Sequence, residues 1–302
     1  MTMSTFIDEA MLQSQPAPAE DSTVLVLGGT GMTGRRVAST LRARGVPVRI
    51  ASRTGIPPFE WEDPTTWARV LRGVAAVYVV YSPDLGLLRA PRVIRSFTEL
   101  AVDSGATRLV LLSGRGRDDV EASEHAIRDS GEAWTILRTA WLHQNFSEGI
   151  LLPAVRAGLV ALPANDVPEP FIDAADIADV ACAALTEDGH AGREYELTGP
   201  ELLTFTDVTA AISQAIGREV AYRSVSPQRF TRELLRRGIP RPEAALLATV
   251  FTTVLGGRNA HLTDDVEQVL GRRPRTFADY VRKTAATGVW EPDGPASSGS
   301  AA

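Results

Sequence analysis

The chain has 302 residues, enough for one large α/β domain with an appended lobe. Its 44% hydrophobic and 23% charged content is that of a soluble globular protein, and a net charge of −6 disfavours nucleic acid or an anionic membrane as the main partner. The single cysteine, Cys182, excludes an internal disulfide and a cysteine metal cluster; no apolar run approaches the roughly 20 residues that span a bilayer, and the acidic N-terminus lacks the basic start of a secretory signal, so a cytoplasmic location is expected.

Residues 1–21 carry Gln-Pro-Ala-Pro-Ala-Glu-Asp without a sustained period and read as a flexible lead-in. The spacing then predicts a buried strand over 23–28, a glycine turn, and a helix over about 32–45 closed by Gly45. Gly29, Gly31 and Gly34 fit G-x-G-x-x-G, whereas Gly28, Gly31 and Gly34 fit G-x-x-G-x-x-G. Either spacing provides a tight turn, a close approach for a phosphate and close helix–strand packing, with the free amides of the helix start facing a pyrophosphate. Gly28, Thr30, Gly31, Met32, Thr33 and Gly34 are therefore the candidate dinucleotide cradle.

A second strand, 46–51, ends at Ser52-Arg53. An acid at this place would bond a ribose 2′-hydroxyl and select NAD; Arg53 instead suits a 2′-phosphate, so NADP(H) is the expected cofactor. Phe59–Asp63 reads as a short third strand that brings Glu60 and Trp61 near the adenine, and Asp63-Pro64 opens a helix. Val74–Val80 is another continuous apolar strand, leading into Tyr81 and Ser82 at the carboxyl edge where ligands bind in such sheets. A helix over 87–104, a strand over 107–113 ending in Ser113, a helix over 118–130 and a strand over 133–138 continue the alternation of a doubly wound parallel sheet. An amphipathic helix to about 157, a helix over 174–185 and a strand over 195–198 follow. From about 199 to 290 the pattern is mainly helical, with 204–216, 227–237, 242–255, 263–270 and 275–286 as helices and 218–224 extended; 291–302 reads as a disordered tail. The expected domains are thus a Rossmann domain over 22–160, with sheet contributions from about 165–198, and a helical substrate-binding lobe.

These residues together resemble the NmrA-like branch of atypical short-chain dehydrogenases/reductases, which includes NAD(P)H-binding quinone-reductase-like members. The marks are Gly-Gly-Thr-Gly-Met-Thr-Gly with Arg53, Gly73-Val-Ala-Ala-Val-Tyr before a Ser-Pro exit, Ser130–Arg138 followed by Gln144-Asn145-Phe146, and Asp173-Ala-Ala-Asp-Ile-Ala-Asp-Val. The resemblance covers roughly residues 22–290 and departs at Thr139, where relatives commonly carry proline. It implies an extended Rossmann domain with the cofactor on the carboxyl edge and a smaller lobe closing over the nicotinamide. It also implies a structural role for Asp173 and Asp176, with Asp173 capping the helix that follows.

Typical short-chain dehydrogenases add a serine and a Tyr-x-x-x-Lys dyad. Ser113 occupies the serine place, but Lys283 is the only lysine, beside thirty arginines, so no such dyad exists. The remaining candidates for proton transfer are Tyr81 and His143, with Glu121 and His125 on one face of the 118–130 helix. Tyr81, Arg115, Trp141 and His143 are the candidate substrate residues; packing is the alternative for His143, as it is for Trp61. No metal-ligand spacing and no hydrolase elbow are present. The expected function is NADPH-dependent reduction of a small aromatic, quinone-like or conjugated carbonyl substrate. A non-catalytic NADP(H) sensor and a non-redox isomerase or cyclase are the competing readings. The chain is expected to act on a small molecule, and homo-oligomerisation is compatible with the sequence.

Overall fold

The computed structural model describes residues 23–131 and 133–292; the expected lead-in over 1–21 and the tail beyond 292 lie outside the described residues. Its centre is a six-stranded sheet in which every pairing is parallel. The strands are β1 (Thr23–Leu27), β2 (Val48–Ala51), β3 (Val74–Val79), β4 (Arg108–Gly114), β5 (Ala133–Thr139) and, after the short β6 (Leu159–Leu162), β7 (Arg193–Leu197). The sheet order is β2-β1-β3-β4-β5-β7. β6 pairs in parallel with β8 (Ala221–Ser224) in a separate two-stranded sheet.

The apolar runs are continuous because helices cover both faces. Leu25, Leu27, Val77, Val79, Leu109 and Leu111 turn to one side, where α2 (Trp67–Leu71), α3 (Ala90–Asp103) and α4 (Glu121–Arg128) pack, the first helix among the described residues being α1 (Gly34–Ala43). Val24, Val26, Tyr78 and Val110 turn to the other side, against α1 and, beyond the short α5 (Leu152–Arg156), α6 (Ala174–Thr186). Each fully buried aliphatic side chain contributes about 1.5–3 kcal/mol. Cys182 is fully buried in the same layer, its thiol facing the Val37 carbonyl at 3.7 Å and pushed up to about 12 by burial.

Two local expectations are corrected. Phe59–Asp63 is not a strand, so β3 pairs directly with β1 and β2 forms the sheet edge. Phe59 and Trp61 instead fold their rings into one cluster with Trp67 and Phe97. The backbone follows: the Phe59 amide donates to the Ser52 carbonyl at 3.0 Å and the Glu60 amide to Thr66 Oγ1 at 3.1 Å. The expected helix to 157 is broken into a 3-10 turn, His143–Phe146, and the five-residue α5, with β6 unforeseen after it. Gly149 sits where a Cβ would stand 3.0 Å from Asn145 Cα, and Gly158, at φ +77, turns the chain out of α5.

The later helices are α7 (Phe205–Ile216), α8 (Pro227–Arg236), α9 (Arg241–Val254), α10 (Asp265–Leu270) and α11 (Phe277–Ala285). With the 146–171 segment they enclose a second core in which Phe146, Phe171, Phe205, Phe277, Tyr280 and Trp290 are buried. The acidic motif at the start of α6 couples the two cores. Asp173 caps α6, accepting from the Ala175 amide at 2.8 Å. Asp176, fully buried, takes the Arg275 amide at 2.7 Å and the Arg272 guanidinium at 2.8 Å. The structural role implied for both residues is thus visible as one cap and one cross-link.

Candidate functional site

The turn after β1 is a tight glycine turn. Gly28 adopts φ +61, and its carbonyl accepts from the Gly31 amide at 2.8 Å, closing the turn. A Cβ on Gly34 would stand 2.3 Å from the Gly28 carbonyl oxygen, so only glycine lets α1 start this close to β1. The Gly28-Gly31-Gly34 spacing therefore describes the turn. Gly29 is a glycine for a different reason: a Cβ would meet Ile50 of β2 at 2.6 Å. Thr30 and Gly31 form the exposed crest, Met32 is half-buried and Thr33 is buried. Helix α1 opens at Thr33 without a side-chain cap, and the Arg35 and Arg36 amides turn back to the Gly31 and Thr33 carbonyls at 3.1 and 3.0 Å.

Leu27 and Ala51 are in register, which brings the end of β2 alongside the turn. Arg53 is exposed there. The Ser52 carbonyl closes the following loop by accepting the amides of Gly55 and Phe59, each at 3.0 Å. Trp61 is buried, with its indole N–H on the Val80 carbonyl at 3.2 Å and its ring 5.0 Å from that of Tyr81. Glu60 is half-buried beside it, and Ser82 is exposed just past β3.

Ser113 and Arg138 are paired in register across β4 and β5, and both reach Glu124 of α4. Ser113 donates to Glu124 Oε1 at 2.7 Å, and Arg138 grips both carboxylate oxygens at 3.0 and 2.6 Å. Burial works against the charge on Glu124, but Arg138, Ser113 and Arg128 together hold the carboxyl below its usual range. The Ser113 hydroxyl is thus held beneath α4. On the same helix Glu121 and His125 face solvent, and His125 Nδ1 meets the Glu121 carbonyl rather than its carboxylate.

Arg115, just past β4, is 2% exposed. Its Nε bonds Glu196 at 2.8 Å and its Nη1 the carbonyls of Asn259 and His261 at 2.9 and 3.1 Å; Nη2 is buried with no partner among the described residues. Trp141 stacks on Phe251 at 4.8 Å. His143 is fully buried between Phe277 and Tyr280, with Nε2 at the Phe171 carbonyl and Nδ1 3.8 Å from Asp173. It occupies the packing position foreseen as its alternative, and its neighbour Gln144 steadies Asp173 with a 2.9 Å bond.

Three features escaped the sequence. Glu148 binds Arg36 at 2.6 Å and also Arg35, strapping the 147–151 loop to the start of α1. Burial opposes the charge on Glu148, yet the two guanidinium groups hold it below its usual range. Glu169 is fully buried, and neither carboxylate oxygen has a partner among the described residues. Burial pushes it up to about 7, opposed in part by the charge of Arg115. Its backbone pairs with Leu203 at 2.9 and 3.0 Å, and the nearby Ile172 amide bonds the Trp141 carbonyl, so Glu169 lies at the carboxyl edge beside the end of β5. The one sequence hint was a charge bracketed by Pro168 and Pro170. The third feature is a cavity of about 600 Å³ beneath α8, lined by none of Tyr81, Arg115, Trp141 and His143. Among the described residues no cluster of His, Cys, Asp and Glu suits a metal, and no helix is long and apolar enough to cross a membrane.

Comparisons with known proteins agree with this geometry. The NAD(P)H-binding family model matches residues 28–188 and the NmrA-like family model residues 121–281. Agroclavine dehydrogenase of Claviceps fusiformis is 34% identical over 280 residues, covering 86% of this chain and 96% of the relative. The NADPH complex of an Escherichia coli quinone oxidoreductase superposes with a TM-score of 0.70 at 22% identity, over 86% of this chain and 99% of the other. The NADP(H) complex of a Citrobacter triphenylmethane reductase gives 0.67 at 20% identity, over 87% and 99%. With a tight glycine turn on a six-stranded parallel sheet, and family models that together match residues 28–281, the chain belongs to the NmrA-like family of NAD(P)H-binding proteins.

Proposed function

We propose that the protein is an NADPH-dependent reductase of a small aromatic, quinone-like or conjugated carbonyl compound. The observation that carries this reading is the glycine cradle with Arg53 beside it. The Gly28–Gly34 turn has no room for a Cβ at Gly34, and the neighbouring strand ends in an exposed arginine where an acid would select NAD. Backbone amides of Thr30, Met32, Thr33 and Gly34 would hold the pyrophosphate, with Gly31 closing the turn beneath it, and Arg53 would hold the 2′-phosphate. NADPH, when bound, supplies the hydride.

The carboxyl edge beyond it offers Tyr81 and Trp141 as the groups that would meet a substrate, with the buried Arg115 holding the edge in place through Glu196. Conjugated acceptors suit a chain without the Tyr-x-x-x-Lys dyad, because hydride delivery to a quinone or activated double bond makes less demand on a dedicated proton donor. Quinone and triphenylmethane compounds, named for two structural relatives, are of this kind. The test is NADPH oxidation by the purified full-length chain against a panel of quinones and enones, followed at the nicotinamide absorbance. Substrate-dependent oxidation supports the reading; none across the panel, with NADPH bound, overturns it in favour of a non-catalytic sensor.

A further inference from the structure

The cavity of about 600 Å³ lies in the helical half of the chain, between α5, β6, α8 and α9. This volume falls in the range of small-molecule sites. Leu151, Leu162, Phe230, Leu234, Ile239 and Phe251 give it apolar walls. Its charged lining comes from one helix and the residue after it: Arg229, Glu233, Arg236 and Arg237. Glu233 is shared by Arg236 at 2.5 Å and Arg237 at 3.1 Å, and the exposed Arg229 adds a third cation to the lining. A surplus of two positive charges stands at this cavity in a chain whose net charge is −6.

Two walls adjoin the cofactor edge. Gly149, Ile150 and Leu151 follow Glu148, which is strapped to Arg35 and Arg36 at the start of α1. Phe251, on another wall, stacks on Trp141 just past β5. An uncharged apolar ligand would leave the arginine surplus without use, and a small polar anion would leave the apolar volume unfilled.

We propose that this cavity takes the apolar body of an amphipathic organic anion whose acid group meets Arg229 and Arg237, and that this anion is the class of substrate the site reduces. The second half deepens the reductase reading and rests on it; the first half does not.

The test uses the full chain with dodecanoate and dodecanol as probes, titrated by calorimetry without cofactor. Dodecanoate is expected to bind about tenfold or more tightly than dodecanol, the usual worth of a charge-assisted bond. Arg229→Ala with Arg237→Ala should remove that preference. Ala161→Phe and Ala154→Phe, which grow into the cavity from β6 and α5, should each weaken both probes while NADPH affinity stays unchanged. Equal binding of the two probes, or unchanged dodecanoate affinity in both filled variants, overturns the site. Competitive inhibition of NADPH-dependent quinone reduction by dodecanoate supports its place in the substrate site, and uncompetitive or absent inhibition overturns it. Failure of NADPH oxidation against every acceptor sinks the reductase reading and the substrate role, and leaves the binding titrations to stand or fall alone.

Discussion

Glu169→Gln is expected to stabilise the protein at alkaline pH and to leave it nearly unchanged in mild acid. Glu169 is completely buried with no hydrogen bond to either oxygen among the described residues, and burial raises its carboxyl from the ordinary 4.5 to about 7. Below pH 4.5 the carboxyl is protonated in both folded and unfolded chains, and folding carries no penalty. Between about 4.5 and 7 the folded chain keeps a proton that the unfolded chain releases, so stability falls as pH rises. At about 1.4 kcal/mol per pH unit across that interval, the loss approaches ~3 kcal/mol by pH 8. The Arg115 charge already enters this figure as an opposing influence. Glutamine keeps the shape and the neutral polar head but cannot ionise. Urea unfolding at several pH values from 5 to 8 measures the difference directly. The stability curves of the two proteins should converge near pH 5 and separate by roughly 2–3 kcal/mol at pH 8, glutamine above. Parallel curves, or a glutamine variant less stable at pH 8, would refute a buried carboxyl that resists ionisation.

Arg53→Ala should weaken NADPH by about tenfold or more and NADH little, since only NADPH carries the 2′-phosphate; equal losses in a fluorescence titration would sink the phosphate role. Gly34→Ala should cost about 2 kcal/mol of stability and most of the cofactor affinity, because its Cβ meets the Gly28 carbonyl oxygen at 2.3 Å; a thermal melt and an NADPH titration matching the parent would contradict it. Asp176→Ala should lower stability by about 2 kcal/mol, a figure reduced because Arg272 and Arg275 are each about a third exposed; an unchanged urea midpoint would show that the α6 cross-link is idle. Asp173 is held down to about 2 against the cost of burial by His143, the Ala175 amide and Gln144, so its contribution is present above pH 4 and lost on acidifying toward 2. Asp173→Asn should therefore flatten the acid limb of the stability curve, and an identical limb would refute the assignment.

The cofactor half of the molecule is written locally, which is why a single sequence discloses it. Short apolar runs bounded by turn residues suit strands covered on both faces, and the glycines at 28, 31 and 34 are required within a seven-residue turn by sterics that involve little beyond it. Arg53 is legible because a strand fixes its place relative to that turn. The absence of a Tyr-x-x-x-Lys dyad follows from one lysine in the whole chain. What the sequence misread depends on distant partners. Phe59 and Trp61 alternate like a strand, yet Trp67 and Phe97 capture their rings and bend the backbone into a turn. His143 adjoins the sheet edge in sequence, but the rings of Phe277 and Tyr280, over 130 residues away, enclose it. Glu169 and the arginine-rimmed cavity carry no local signature, because an unpartnered carboxylate or an enclosed volume exists only once remote helices have closed around it. Local sterics thus set where the nucleotide would lie, and long-range packing decided which side chains surround the space beyond it.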